Sequence, residues 1–297
     1  MPAGNNTQHD SDFYQWAIST DVLIRSGQMH DIDHDALAEE VETFACTKEE
    51  VLDALYRRLI YSFLLQTLQI GLDQAQSISS FRQKIAHMIK QNPSLLAQST
   101  DAEFLQRTYK RGVFDVYCAT GVPENEFPPT CPYSLPDLVP NHEELMPASL
   151  TAAEDDPHLW AVQTGEQLRA RSLSEVDWEQ VRHVLDSLIR SERRQLLVPM
   201  ALKISYMLRL DFQYVHDSLT EHTKLCRSAA GRHLWDMEQV FRISPSLRNA
   251  VPELLDEAYH MGRMFAADSA RTLTQFDFPM ECCYTVEELL DWSELDN

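Results

Sequence analysis

Residues 12–27, with the sequence DFYQWAISTDVLIRSG, show the pattern that identifies the fold class. Trp16, Thr20 and Ile24 recur at intervals of four residues, so they lie on one face of an α-helix. Gly27 follows the last apolar residue and suits the left-handed position that commonly ends a helix. The stretch therefore predicts an amphipathic helix with a buried apolar face.

The same pattern returns around Trp160, which lies 144 residues after Trp16, and Asp156 there takes the place of Asp12. The register between the two stretches needs no gap. Other matching groups follow in the same order: Arg25 with Arg169, Pro93-Ser94-Leu95 with Pro245-Ser246-Leu247, Phe127-Pro128 with Phe278-Pro279, and Cys131 with Cys282. Self-similarity at a nearly fixed period indicates that one structural unit occurs twice.

We expect residues 10–140, called copy one, to form the first helical unit, and residues 156–297, called copy two, to form the second. Residues 141–155 contain acidic and small residues and a proline without a sustained apolar period, so they are predicted to be an acidic linker. The predicted fold class is all-α, with two similar helical bundles of about five helices each in tandem.

The predicted helices of the two copies begin at corresponding residues. Asp33 suits the N-cap of a second helix, and Thr47 starts a capping box that predicts a third. A fourth helix is predicted before each Pro-Ser-Leu group and a fifth after it. Two differences are expected in copy two. Pro199 should kink or break its third helix, and Arg171, which replaces Gly27, should make the first helix end differently.

The composition favours helices and an acidic surface. The chain has 297 residues with only 8 glycines, and few glycines mean few tight turns between strands. Its formal net charge of −21 repels phosphate groups, so neither nucleic-acid binding nor attachment to an anionic membrane is expected. The charge either serves solubility or forms a docking face for a basic partner.

The expected compartment is the cytoplasm. The opening sequence MPAGNNTQHDSD has neither the basic nor the apolar region of a secretion signal, and no apolar run is long enough to span a membrane. The six cysteines include no CxxC pair, and reduced thiols are the default for such a chain.

Each copy resembles the bacterial helical family called domain of unknown function 29. The resemblance covers nearly the whole chain outside the N-terminal tail and the linker. It is carried by Asp12-Phe13-Tyr14-Gln15-Trp16, Leu37-Ala38-Glu39-Glu40-Val41-Glu42, Asn92-Pro93-Ser94-Leu95 and Phe127-Pro128-Pro129-Thr130-Cys131-Pro132-Tyr133 in copy one, and by Leu159-Trp160-Ala161, Pro245-Ser246-Leu247-Arg248 and Pro252-Glu253-Leu254-Leu255 in copy two. It implies an all-helical fold and a bacterial protein, and it implies no activity.

His30 and His34 are four residues apart among acidic residues, and two histidines at this spacing on one helix can share a metal ion. Asp33 lies between them as the expected N-cap, which instead favours a polar turn before the helix. Copy two has Ser174 and Trp178 at the corresponding positions. No metal site is therefore predicted.

Glu39 lies near the start of the second predicted helix, where a negative side chain is stabilised by the helix dipole. Trp16 and Trp160 recur on the apolar face of the first helix, where they either pack in the core or stack on a ligand. Trp16, Trp160, His30, His34 and Glu39 are the candidate binding residues. No catalytic residue, metal ligand or cofactor is predicted.

These observations predict a non-enzymatic helical module for protein–protein interaction. The tandem duplication would make it a monomeric pseudo-dimer within one chain. Its partner would be a protein, and a basic protein would suit the acidic surface. The alternative is an enzyme or a small-molecule-binding protein whose site lies in the cleft between the two units, where pockets often form.

Overall fold

The computed structural model describes residues 7–70, 74–139, 156–213, 221–269, 274 and 277–291. Within these ranges all regular secondary structure is helical and no strand is present, which confirms the all-α class. None of the described helices combines the length and the apolarity needed to cross a membrane. The α-helices are, in chain order, α1 (Thr7–Ser11), α2 (Phe13–Arg25), α3 (His34–Thr67), α4 (Ala75–Gln91), α5 (Leu95–Thr100), α6 (Ala102–Thr120), α7 (Leu135–Leu138), α8 (Pro157–Arg169), α9 (Trp178–Leu208), α10 (Glu221–Ile243), α11 (Val251–Ser269) and α12 (Val286–Leu290).

The helices form two compact units, and each unit contains segments of both copies. Unit 1 comprises the described residues within 1–33 and 178–297, so α2 from copy one packs on α9 from copy two. Unit 2 consists of residues 34–177, in which α8 from copy two packs on α3 from copy one. The first helices of the two copies are therefore exchanged. The predicted boundaries at 140 and 156 follow the repeat along the chain, and they stay a prediction.

Each unit has its own hydrophobic core. In unit 1 the core is built mainly from α9, α10 and α11 of copy two, with Leu196, Met200, Leu234 and Phe241 among its buried side chains. Tyr14 on α2 packs into this core although it belongs to copy one. In unit 2 the corresponding core is built mainly from α3, α4 and α6. Burial of one aromatic side chain thus links the first helix of copy one to the bundle of copy two.

The second and third predicted helices are one continuous helix in each copy, since α3 has 34 residues and α9 has 31. The prediction of a separate helix starting at Thr47 was wrong. The Thr47 hydroxyl donates to the Thr43 carbonyl oxygen at 2.8 Å, which is the hydrogen bond of a threonine inside a helix and not of an N-cap. Pro199 does not break α9, although proline removes one hydrogen bond from the helix. The buried neighbours Leu196 and Met200 pack in the core on either side of it.

The first helices of the two copies end in the same way, contrary to the expectation for Arg171. Gly27 has φ +75° and Arg171 has φ +59°, so both take the left-handed conformation. The next residues, Gln28 and Ser172, each donate a backbone hydrogen bond of 2.9 Å to a carbonyl five residues earlier. A side chain in this conformation is strained. The Arg171 guanidinium donates to Asp35 Oδ2 at 2.9 Å, but this exposed ion pair contributes little to stability.

Two corresponding glycines let α6 and α11 pass close to the long helix of their own unit. A Cβ atom on Gly262 would lie 2.8 Å from both Ala201 O and Ile204 Cγ2. A Cβ atom on Gly112 would lie 3.1 Å from Ile60 Cγ2 and 3.6 Å from the nearest backbone atom. The two positions therefore differ in whether backbone or side chain would have to move.

We expect Gly262→Ala to destabilise the protein by about 1–3 kcal/mol, because the Ala201 carbonyl cannot move without distorting α9. Gly112→Ala should cost less, since Ile60 can shift slightly and alanine favours the helix by up to about 1 kcal/mol. Urea denaturation of both variants measures the difference in unfolding free energy. Equal losses at the two positions would contradict this explanation.

Tyr56 on α3 is fully buried and packs edge-on against Phe104, with ring centroids 5.7 Å apart. Burial raises the pKa of the Tyr56 hydroxyl from 10.0 to about 12. The folded state therefore keeps this proton at pH values where the unfolded chain loses it. The contribution of this hydroxyl group to the free energy of unfolding is fully present below pH 10. It falls by about 1.4 kcal/mol per pH unit as the pH rises towards 12. Tyr56→Phe removes this contribution, so denaturation of both proteins should show a difference that changes only in this alkaline range.

Candidate helix-docking sites

Asp12 lies between α1 and α2 and also binds copy two. Its Oδ1 atom accepts a hydrogen bond from the Gln15 backbone N–H at 3.1 Å, which makes Asp12 the N-cap of α2. The same carboxylate accepts from the Ser246 backbone N–H at 2.9 Å and from the Ser246 hydroxyl at 2.7 Å. Because Ser246 lies at the start of a helical turn, its N–H has no partner within that turn. One carboxylate therefore caps α2 and attaches it to the Pro-Ser-Leu group of copy two.

Asp156 makes the corresponding contacts in unit 2. It caps α8 by accepting from the Leu159 backbone N–H at 2.9 Å. It also accepts from the Ser94 backbone N–H at 2.6 Å and from the Ser94 hydroxyl at 3.0 Å. Asp156 is almost fully buried, so loss of these bonds would leave a buried charge unpaired. The exchanged helices are thus anchored by the same Asp–Ser contact in both units.

Further polar contacts distinguish the surfaces that receive the two helices. Docking surface 1, which holds α2, comprises Arg182, Glu192, Arg193, Ser244 and Ser246. Docking surface 2, which holds α8, comprises Asp35, Glu42, Glu49 and Ser94.

Docking surface 1 binds the backbone and the hydroxyl of Tyr14. The Tyr14 N–H donates to Ser244 Oγ at 3.2 Å, and the Ser244 hydroxyl donates to Glu192 Oε2 at 2.8 Å. Ser244 and Glu192 are both buried, so this chain of hydrogen bonds satisfies polar groups that water does not reach. At the other end of the side chain, Arg193 Nη1 donates to the Tyr14 hydroxyl oxygen at 3.3 Å.

Docking surface 1 also neutralises an acidic residue of α2. Asp21 is only 8% exposed. Its Oδ1 atom accepts from Arg182 Nε at 3.1 Å, and its Oδ2 atom accepts from Arg25 Nε at 2.6 Å on the same helix. Two guanidinium groups offset the cost of burying this carboxylate. In the ion pair between Asp21 and Arg182, the acid lies on the exchanged helix and the base lies on docking surface 1.

Docking surface 2 has the opposite charge pattern. On α8, His158 lies with Nδ1 2.8 Å from Ser94 Oγ and with Nε2 3.0 Å from Glu49 Oε1. Arg169 at the end of the same helix forms an ion pair with Glu42. The helix therefore supplies the bases and the surface supplies the acids, which include Asp35 beside Arg171.

The five candidate binding residues are divided between the two units, with Trp16 and His30 in unit 1 and His34, Glu39 and Trp160 in unit 2. Trp16 and Trp160 lie on the exchanged helices α2 and α8 and are only 4% and 7% exposed, which agrees with core packing. His30 is exposed in unit 1, whereas His34 is buried at the start of α3 in unit 2. Glu39 is exposed on α3. Their role in binding stays a prediction, and the described part of the chain contains no group of three His, Cys, Asp or Glu side chains suited to a metal ion.

The contacts that hold the exchanged helices were not predicted, although the residues that form them belong to matching groups of the two copies. Asp12 and Asp156 were aligned with each other, and so were Ser94 and Ser246. The available signal was that an acidic N-cap and a Pro-Ser-Leu group both recur in both copies. Nothing in the alignment shows which aspartate contacts which serine, because the two copies offer the same pair of groups.

The half-buried thiols of Cys131 and Cys282 occupy corresponding turns. Each sulfur atom lies 3.5 Å from a backbone carbonyl oxygen two residues later, that of Tyr133 or Tyr284. Burial raises the pKa of both thiols above the ordinary value. A cysteine nucleophile needs the opposite shift, since the thiolate is the reactive form. The geometry of this turn supports a packing role for both side chains.

A family model described as "Domain of unknown function DUF29" matches the chain twice, at residues 8–142 and at residues 154–293. The two matches confirm the tandem repeat and the family resemblance found in the sequence. Neither a curated protein nor a solved structure matches the chain.

Proposed function

The chain belongs to the family described as domain of unknown function DUF29, and from this premise we propose that it is a non-enzymatic protein–protein interaction module folded as a monomeric pseudo-dimer. The exchange of α2 and α8 is the observation that carries the proposal. An amphipathic helix that lies against a partner's surface is a common mode of protein recognition. In this chain each copy recognises the first helix of the other copy, as two single-copy subunits would in a symmetric dimer.

An external partner would be a protein of complementary, basic charge. The net charge of −21 attracts such a partner over long distances. Phe114 on α6 and Met264 on α11 hold corresponding positions in the two copies, and their side chains are 51% and 47% exposed. Large exposed apolar side chains are typical anchor residues of protein interfaces. We place the protein in the cytoplasm, which is consistent with six cysteines that are all free thiols.

Light scattering coupled to size-exclusion chromatography tests the pseudo-dimer. We expect the mass of a single chain, 34.2 kDa, at all concentrations from the nanomolar to the micromolar range. The reason is that both docking surfaces are already filled within the chain. A stable mass of two or four chains would contradict this part of the proposal.

Affinity purification with mass spectrometry tests the interaction module. We expect a stoichiometric partner that is lost when Phe114→Ser and Met264→Ser are combined, and whose capture weakens at high salt. Leu225→Ser is the matched control, because Leu225 is an apolar residue on α10 that is even more exposed, at 64%. The absence of any stoichiometric partner under several salt conditions, or equal capture by all variants, would count against the proposal.

A further inference from the structure

Gly165 on α8 leaves room for an acidic side chain of docking surface 2. A Cβ atom at this position would lie 2.6 Å from both Cγ and Oε1 of Glu42, which is closer than real Cβ contacts. Glu42 could avoid the contact only by moving, and it forms the ion pair with Arg169. A side chain at the position of Gly165 would therefore displace Glu42 from its ion pair with Arg169.

The corresponding residue of α2, 144 positions earlier, is Asp21. Its buried carboxylate binds Arg182 of docking surface 1. At the same offset, Arg182 corresponds to Ala38 in copy one, which has no charge to offer. Docking surface 1 therefore has a cation where α2 has an acid.

The reverse arrangement, with each helix on its own copy, would lose both matches. Asp21 would then stand in the place of Gly165 beside Glu42, which would have to move aside, and Ala38 would offer no cation in place of Arg182. Arg182 would face a glycine and lose its buried carboxylate partner. A surface that repels the wrong helix as well as attracting the right one gives specificity.

We propose that Asp21 and Gly165 determine which first helix each unit accepts. Docking surface 1 binds a first helix with a carboxylate at this position, and docking surface 2 binds a first helix that has no side chain there. The same rule applies to the first helix of any other chain of this kind that meets these surfaces. The inference rests on the exchange of helices and not on the binding of an external partner, so either can fail without the other.

The test uses the full chain with a protease site inserted between residues 140 and 155. The variants are Asp21→Gly, Gly165→Asp and the two together, and unfolding is followed in urea before cleavage. We expect each single change to raise the unfolding constant at least tenfold. In the double variant each helix then fits its own copy. The increase in its unfolding constant should therefore be at least tenfold smaller than the product of the increases in the two single variants.

Cleavage supplies a second readout. After the cut, the wild-type fragments should elute together, because each carries the first helix of the other's bundle. The fragments of the double variant should elute separately, because each is complete by itself. Asp21→Gly combined with Gly165→Asn is the matched control, since asparagine has the size of aspartate but no charge for Arg182, and it should show no recovery.

The proposal is overturned by multiplicative effects in the double variant, or by cleaved fragments of the double variant that stay together. If Gly165→Asp alone is insoluble, Glu42→Ala is added to it. This removes the side chain and the charge that oppose the new carboxylate, so soluble, cooperatively folding protein supports the proposal. Insolubility of that pair as well would overturn it.

Discussion

Cutting the linker is expected to leave the two halves of this protein bound to each other, although no covalent bond then joins them. The N-terminal fragment contains α2 of unit 1 and α3–α7 of unit 2, and the C-terminal fragment contains α8 of unit 2 and α9–α12 of unit 1. Separation requires both exchanged helices to leave their docking surfaces. This would expose apolar side chains and break the partly buried hydrogen bonds of Asp12 and Asp156.

Size-exclusion chromatography of the cleaved chain in native buffer measures this association. The matched control is the same cleaved chain with Asp12→Ala and Asp156→Ala, which removes both N-caps and both anchors. An N-cap alone contributes about 1 kcal/mol, so the two changes together should weaken the association by about tenfold or more. Wild-type fragments that elute separately at micromolar concentration would show that the helices are not exchanged in solution.

The second large effect is that a core substitution in copy one should loosen copy two. Tyr14 belongs to copy one but packs in the core of unit 1 and is only 7% exposed. Replacing a buried aromatic residue with alanine typically costs on the order of 3 kcal/mol. We therefore expect Tyr14→Ala to lower the protection of α9, α10 and α11 in hydrogen exchange. The helices α3, α4 and α6, which follow Tyr14 in its own copy, should keep theirs.

Trp160→Ala is the reciprocal experiment. Trp160 belongs to copy two, is buried on α8, and α8 packs on α3 in unit 2. Protection should fall in α3, α4 and α6, and it should be retained in α9 to α11. Val22→Ala is the control for both, because Val22 is 56% exposed on α2 and its loss removes little packing. If Tyr14→Ala loosened α3 to α6 instead, the assignment of α2 to unit 1 would be wrong.

Much of the helical content was predictable because helices are marked by local features of the sequence, namely apolar periodicity and capping residues. The fourth and fifth helices of each copy lie where they were predicted, before and after the Pro-Ser-Leu groups. The division of α3 at Thr47 failed for a related reason. The local sequence of a threonine followed by glutamates is the same whether the threonine caps a new helix or lies within a longer one. Val41, Ala45 and Leu52 are buried along one face of α3 on both sides of Thr47, which decides for the continuous helix.

The candidate site was predictable only in part. Burial of Trp16 and Trp160 follows from their place on an apolar face, and that expectation agrees with the structure. His30 and His34 are neighbours in sequence but belong to different units, since the chain passes from unit 1 to unit 2 between Asp33 and His34. Distance along the chain therefore said nothing about whether these two side chains share a site.

The amino-acid sequence by itself determined that this protein is all-helical, strongly acidic and built from one unit occurring twice, because periodicity, charge and self-similarity are properties of the chain. Only the tertiary structure decided which copy receives each first helix. The physical reason is that α2 and α8 have the same apolar face and the same aspartate cap, so either could satisfy the local pattern on either bundle. The choice depends on contacts between distant residues, Asp21 with Arg182 and Gly165 over Glu42, which no local pattern contains.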